Sequence, residues 1–68
     1  MHISVGDRFI KAHARDLSVW HVDRILREST LPPHAMLVNE LTGEGPKLVS
    51  IWALNNPQYF LPAEDLPA

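Results

Sequence analysis

Two apolar runs joined by a short loop constrain the fold of this chain more than any other feature. Residues 34–41 and 47–52 are rich in aliphatic side chains, and residues 42–46 between them read Thr-Gly-Glu-Gly-Pro. A glycine-containing loop between two such runs is typical of a β-hairpin, because glycine adopts the positive φ angles that tight loops require. The sequence therefore predicts two adjacent antiparallel strands here.

The segment 19–26, Val-Trp-His-Val-Asp-Arg-Ile-Leu, is open to two interpretations. Its apolar positions fit a strand with a bulge or bend near Asp23 and Arg24, and they also fit one face of a helix. The Val-Trp-His-Val run favours the strand, because β-branched and aromatic side chains lose rotamer freedom in a helix. We therefore expect a strand, with the helix as the alternative.

The remaining segments are short. Residues 5–12 predict a Gly-Asp turn followed by a strand, residues 53–59 predict a single helical turn, and residues 60–61 predict a brief closing strand. We expect one domain over residues 1–62, followed by a flexible acidic tail over residues 63–68.

This order of elements resembles a five-stranded Src-homology-3-like (SH3-like) barrel. The residues that carry the likeness are Val5–Phe9, Trp20–Val22, Leu37–Val38, Leu48–Ser50 and Ala53–Phe60. The chain also resembles small stand-alone bacterial proteins of unknown function with this layout. The resemblance implies an all-β fold, a small five-stranded barrel with one helical turn before the last strand. It does not imply binding of proline-rich peptides, because the acidic loop and aromatic groove of the peptide-binding members are not recognisable.

A barrel of this size has an interior just wide enough for its own side chains. We expect that interior to be filled by nine apolar residues: Val5, Phe9, Val22, Ile25, Leu37, Val49, Ile51, Leu54 and Phe60. A ligand would then bind on an outer face, on a loop or at a strand edge.

Charge and composition exclude several classes of function. Six basic residues stand against eight acidic ones, so the chain lacks the basic excess of most nucleic-acid binders, although its basic residues concentrate in residues 1–27. The sequence holds no cysteine, which excludes disulfides and thiolate chemistry. No apolar run has the length of a membrane span, and no signal peptide is recognisable, so we expect a cytoplasmic protein without membrane association.

Catalytic signatures are also missing from the sequence. No serine lies in a Gly-x-Ser-x-Gly motif, and no glycine-rich phosphate loop is present. The four histidines lack metal-ligand spacing, although His21 and Asp23 would share one face of a strand. We therefore expect no enzyme activity, no catalytic residues, no metal and no cofactor.

The remaining candidates are residues for binding partners. An exposed aromatic next to basic groups is typical of a protein contact or of a platform on which bases stack. Our first hypothesis is a non-catalytic interaction module that binds a protein or a second copy of itself through Trp20, Arg24, Arg27, Trp52 and Tyr59. The alternative is a weak binder of RNA or single-stranded DNA that uses Arg8, Lys11, Arg24, Arg27 and Trp20.

Overall fold

Five short antiparallel strands and one helical turn form a curled half-barrel. This computed structural model describes residues 2–16, 18–28 and 31–63. The elements in chain order are β1 (Arg8–Lys11), β2 (Trp20–Leu26), β3 (His34–Asn39), β4 (Lys47–Ser50), α1 (Ile51–Leu54) and β5 (Phe60–Pro62). The strand order in the sheet is β4-β3-β2-β1-β5, and every paired neighbour is antiparallel. The predicted all-β fold, with one helical turn before the last strand, is confirmed.

Strand β2 settles the ambiguity of residues 19–26 in favour of the extended backbone. Its register on β3 shifts between Val22, which lies opposite Leu37, and Arg24, which lies opposite Met36. Asp23 is therefore an extra, exposed residue in the strand, which is a β-bulge at the predicted place. Because of the bulge, side chains before and after Asp23 do not follow one simple alternation.

The predicted hairpin forms, but its second strand is shorter than the apolar run. Strand β4 ends at Ser50, and the helical turn begins at Ile51, earlier than the predicted 53–59. Ser50 has an extended backbone, and its Oγ accepts a hydrogen bond from the N–H of Ala53 at 3.1 Å. Serine is a preferred residue at the start of a helix for this reason, so the cap overrides the strand preference of Ile51 and Trp52.

The buried core contains six of the nine predicted residues and four that were not predicted. It comprises Ile3, Phe9, Trp20, Val22, Ala35, Leu37, Val49, Leu54, Phe60 and Ala63. Ile25 and Ile51 are only partly buried against it. The prediction for Val5 is wrong, because Val5 is 64% exposed at the tip of a turn. That turn is closed by hydrogen bonds in both directions between Ser4 and Asp7, and it directs Ile3 into the core instead.

The last strand continues past its predicted end. Pro62 pairs opposite Phe9 in β5, and the N–H of Ala63 donates to the carbonyl of Arg8 at 2.9 Å. Ala63 is buried, so it belongs with the sheet and not with the predicted tail. The remainder of that predicted tail, residues 64–68, lies outside the described residues. Within the described ranges, no helix is long and apolar enough to cross a membrane.

Asn39 is the buried polar residue that organises the β3–β4 loop. Its Oδ1 accepts hydrogen bonds from the N–H groups of Leu41 at 2.8 Å and Thr42 at 3.2 Å. We expect Asn39→Ala to lower the free energy of unfolding by about 1–3 kcal/mol, because two loop donors lose their acceptor in a partly buried site. Urea denaturation followed by tryptophan fluorescence measures this loss.

Thr42→Ala is the matched control in the same loop. Thr42 Oγ1 accepts a hydrogen bond from the N–H of Glu44 at 3.1 Å, but this bond is exposed and water can replace it. We expect a loss within about 0.5 kcal/mol for this variant. Equal losses for the two variants would contradict the role assigned to Asn39.

Candidate interaction site

The helical turn α1 places Trp52 on the outside of the molecule. A single turn can direct only one side towards the sheet, and that side is taken by Leu54, which is buried, and by Ile51 and Ala53, which are partly buried. Trp52 lies on the remaining side and is 68% exposed. The position of the Ser50 cap therefore determines which residue of the turn faces solvent.

Tyr59 reaches the same region from the segment that leads into β5. The next residue, Phe60, is buried and packs edge-to-face on Phe9, with ring centroids 6.5 Å apart. Leu61 follows Phe60 in β5 and is exposed, and Tyr59, in the turn before β5, is exposed as well. Tyr59 is 49% exposed, and its carbonyl accepts a hydrogen bond from the N–H of Ala12 at 2.9 Å, which fixes its backbone beside the end of β1.

Trp52 and Tyr59 contact each other on the surface. Their ring centroids are 6.0 Å apart and the rings are inclined at 52°. Pairs at about 4.5–7 Å attract each other, so each ring restrains the other before any partner arrives. Two exposed aromatic side chains with few rotatable bonds offer a large contact area at low entropic cost, which is the chemistry of a protein-binding hot spot.

Trp20 is not a surface residue. The sequence left open whether its ring packs in the core or is exposed to a partner or to bases, and at 4% exposure it packs in the core. The ammonium groups of Lys11 and Lys47 lie over its ring, at 4.9 Å and 5.7 Å from the centroid. Strand alternation explains both positions, since Lys11 follows buried Phe9 by two residues and Lys47 precedes buried Val49 by two.

Among the basic residues of the N-terminal half that were predicted to join an aromatic ring, Lys11 lies over Trp20, whereas Arg8, Arg24 and Arg27 are placed elsewhere. Arg24 and Arg27 are exposed, and the bulge at Asp23 separates Arg24 from the inward face that holds Trp20. Arg8 forms an ion pair with Glu40: its Nε lies 3.0 Å and 3.2 Å from the two carboxylate oxygens, and its Nη2 lies 3.0 Å from Oε2. Its charge is therefore partly compensated.

Titratable groups are dispersed over the described part of the chain. No three side chains among its histidines, aspartates and glutamates are grouped so as to hold a metal ion. His21 approaches Glu40, with 3.9 Å between Nδ1 and Oε1, whereas Asp23 is exposed at the bulge. His21 therefore lies near Glu40, the residue after β3, and among the described residues it forms no ion pair with Asp23.

The structure brings together two sets of candidate residues, Trp52 with Tyr59 and Lys11 with Trp20. Lys47 belongs to the second set, although the sequence did not indicate it as a candidate residue. The sequence feature that could have indicated it is its position: a lysine two residues before a buried valine lies on the inward face at the end of a strand.

Comparison with protein-family models, with curated proteins and with solved structures found no match to this chain.

Proposed function

We propose that this chain is a non-catalytic interaction module that binds a protein partner, with Trp52 and Tyr59 at the centre of the contact. The observation that carries the proposal is the exposed aromatic pair, 6.0 Å between centroids, on the helical turn and the segment before β5. Tryptophan and tyrosine are enriched at the centres of protein interfaces, where a partner removes them from water.

The alternative to an aromatic contact is self-association, in which the sheet edges of two copies pair. Strands β4 and β5 lie at the ends of the sheet order and present backbone groups that a further strand would bond. However, β5 ends in a proline, which has no N–H, and β4 begins with a lysine. Both features are typical of edges protected against pairing, so we favour the aromatic pair as the contact.

Nucleic-acid binding has less support than protein binding. Its aromatic residue was Trp20, which is buried, and one of its cations was Arg8, which is paired with Glu40. The exposed arginines Arg24 and Arg27 lie on and just after β2, and the exposed aromatic pair lies on other elements. A stacking platform for bases needs both kinds of group on one surface.

The SH3-like resemblance remains a proposal about relationship. Its support is the position of the helical turn between the fourth and fifth strands of a five-stranded antiparallel sheet. The proposed function does not depend on it, because proteins with one fold serve many functions.

Replacing Trp52 with alanine tests the proposal. We expect the wild-type chain, immobilised and exposed to a host lysate, to retain a specific protein that is then purified and titrated. A central aromatic residue contributes about 2 kcal/mol or more, so Trp52→Ala should weaken that affinity about 30-fold or more. Tyr59→Phe, which keeps the ring, should bind nearly as well as wild type.

Leu41→Ala controls for the loss of any exposed apolar side chain, since Leu41 is 79% exposed in the β3–β4 loop. This variant should retain the same protein with unchanged affinity. Sedimentation velocity of wild type and Trp52→Ala over a wide concentration range identifies a second copy as the partner. A strictly monomeric chain that retains no protein, or one for which Trp52→Ala binds as wild type does, would remove the proposal.

A further inference from the structure

Two lysines from opposite sides of the half-barrel converge on one tryptophan. Lys11 belongs to β1 and Lys47 to β4, and β2 and β3 lie between these strands in the sheet. The curl of the sheet nevertheless brings both ammonium groups over the ring of Trp20, at 4.9 Å and 5.7 Å from its centroid. Both cations therefore lie close to one buried indole.

Within the described residues, no ion pair compensates the two positive charges. Glu40 pairs with Arg8 and lies 3.9 Å from His21, and neither lysine has a carboxylate within 4.0 Å among those residues. Glu44, in the loop that precedes β4, is the acidic group whose charge acts on Lys47 from a greater distance. The fold therefore holds two like charges near one ring, with no carboxylate of residues 2–16, 18–28 and 31–63 within ion-pair distance of either.

The proximity of the two amino groups changes the acidity of Lys47. The pKa of Lys47 is lowered from its usual value, first by the side chain of Lys11 as a hydrogen-bonding neighbour, and then by partial burial and by the charge of Lys11. The charge of Glu44 acts in the opposite direction. An anion between the two ammonium groups would relieve this repulsion, because each group would then face an opposite charge.

We propose that Lys11 and Lys47, above the indole of Trp20, form a binding site for a dianionic oxyanion group such as phosphate. Each ammonium group has three donors, and a phosphate has oxygen acceptors for both. A charge of about −1.5 to −2 at neutral pH matches two cations, whereas a single carboxylate matches one. This site is formed by other residues than the Trp52–Tyr59 pair. It would give the chain a second ligand in addition to the proposed protein partner.

Trp20 provides the reporter for the experiment. The chain has two tryptophans, so Trp52→Phe leaves Trp20 as the sole indole. We expect titration of this variant with inorganic phosphate, with sodium chloride added to keep ionic strength constant, to give a saturable change in Trp20 emission. Sulfate, which is also dianionic, should act in the same way, and acetate should act far more weakly. Phosphate should also raise the melting temperature, because a ligand stabilises the state that binds it.

Lys11→Met and Lys47→Met, made separately in the same background, remove one cation each and keep an apolar stem over Trp20. We expect each to weaken phosphate binding about tenfold or more and to reduce the rise in melting temperature at the same phosphate concentration. Arg15→Met, at an exposed position in the loop between β1 and β2, is the control for net charge and should bind as the background does. Retention of the response in Lys47→Met, equal loss in Arg15→Met, an equal response to acetate, or no saturable response would each overturn the proposal.

Discussion

Leu37→Ala is expected to remove about 2–5 kcal/mol from the free energy of unfolding. Leu37 is 0% exposed on β3, between β2 and β4, where it lies opposite Val22 and Lys47. Truncation to alanine loses the transfer free energy of the side chain and leaves a cavity that neighbours on two paired strands cannot collapse into freely. The measurement is urea denaturation at 25 °C, followed by fluorescence and circular dichroism.

Because the chain is small, this loss is large in comparison with its total free energy of unfolding. At roughly 0.05–0.15 kcal/mol per residue, a 68-residue domain has a total stability of about 3–10 kcal/mol. Leu37→Ala therefore removes a large fraction of the free energy of unfolding at 25 °C. Leu41→Ala makes the identical chemical change at a site that is 79% exposed, and it should cost less than about 0.5 kcal/mol. Similar unfolding midpoints for the two variants would show that Leu37 is not the core position described above.

The strands of this protein were predictable because their signals are local. The glycine loop between two apolar runs predicted β3 and β4, and the Val-Trp-His-Val run predicted β2 together with its bulge near Asp23. Rotamer restriction and turn chemistry depend on a few adjacent residues. Such features can therefore be recognised in the sequence without knowledge of the tertiary contacts.

The boundaries that were wrong depend on single hydrogen bonds. Ser50, between two apolar neighbours, fits an outward strand position equally well, but its hydroxyl caps α1 and turns Ile51 and Trp52 into helix residues. Val5 fits the core by hydrophobicity, but the turn between Ser4 and Asp7 exposes it. A hydrophobic pattern does not indicate which polar group closes a turn or caps a helix.

The candidate sites depend on contacts between distant segments, and so the sequence predicted them only in part. Tyr59 and Trp52 were both singled out as partner residues, but their mutual contact requires the helical turn to begin at Ile51. The approach of Lys11 and Lys47 to buried Trp20 joins strands that are not neighbours in the sheet. Periodicity assigns a residue to a face of a strand, but the curl of the sheet decides what lies across from it.

Gly45→Ala is expected to destabilise the fold by about 3 kcal/mol or more, although the substitution adds one methyl group to an exposed loop. Gly45 has a φ of +124°, a conformation that costs residues with a side chain about 1–3 kcal/mol. A Cβ at this position would also lie 2.6 Å from the backbone oxygen of Leu37. That oxygen belongs to an inner strand, so the loop and not the strand must move, and the β3–β4 pairing next to it is disturbed.

Gly43→Ala separates the two causes within the same loop. Gly43 also has a positive φ, +76°, but a Cβ there meets no heavy atom within 4 Å. Its alanine variant therefore carries backbone strain alone and should cost about 1–2 kcal/mol. The difference between the two variants, measured by urea denaturation, reports the close approach of the loop to Leu37. If Gly45→Ala is no less stable than Gly43→Ala, the loop is able to move away from β3 without cost, and the tight packing of the hairpin end described above is incorrect.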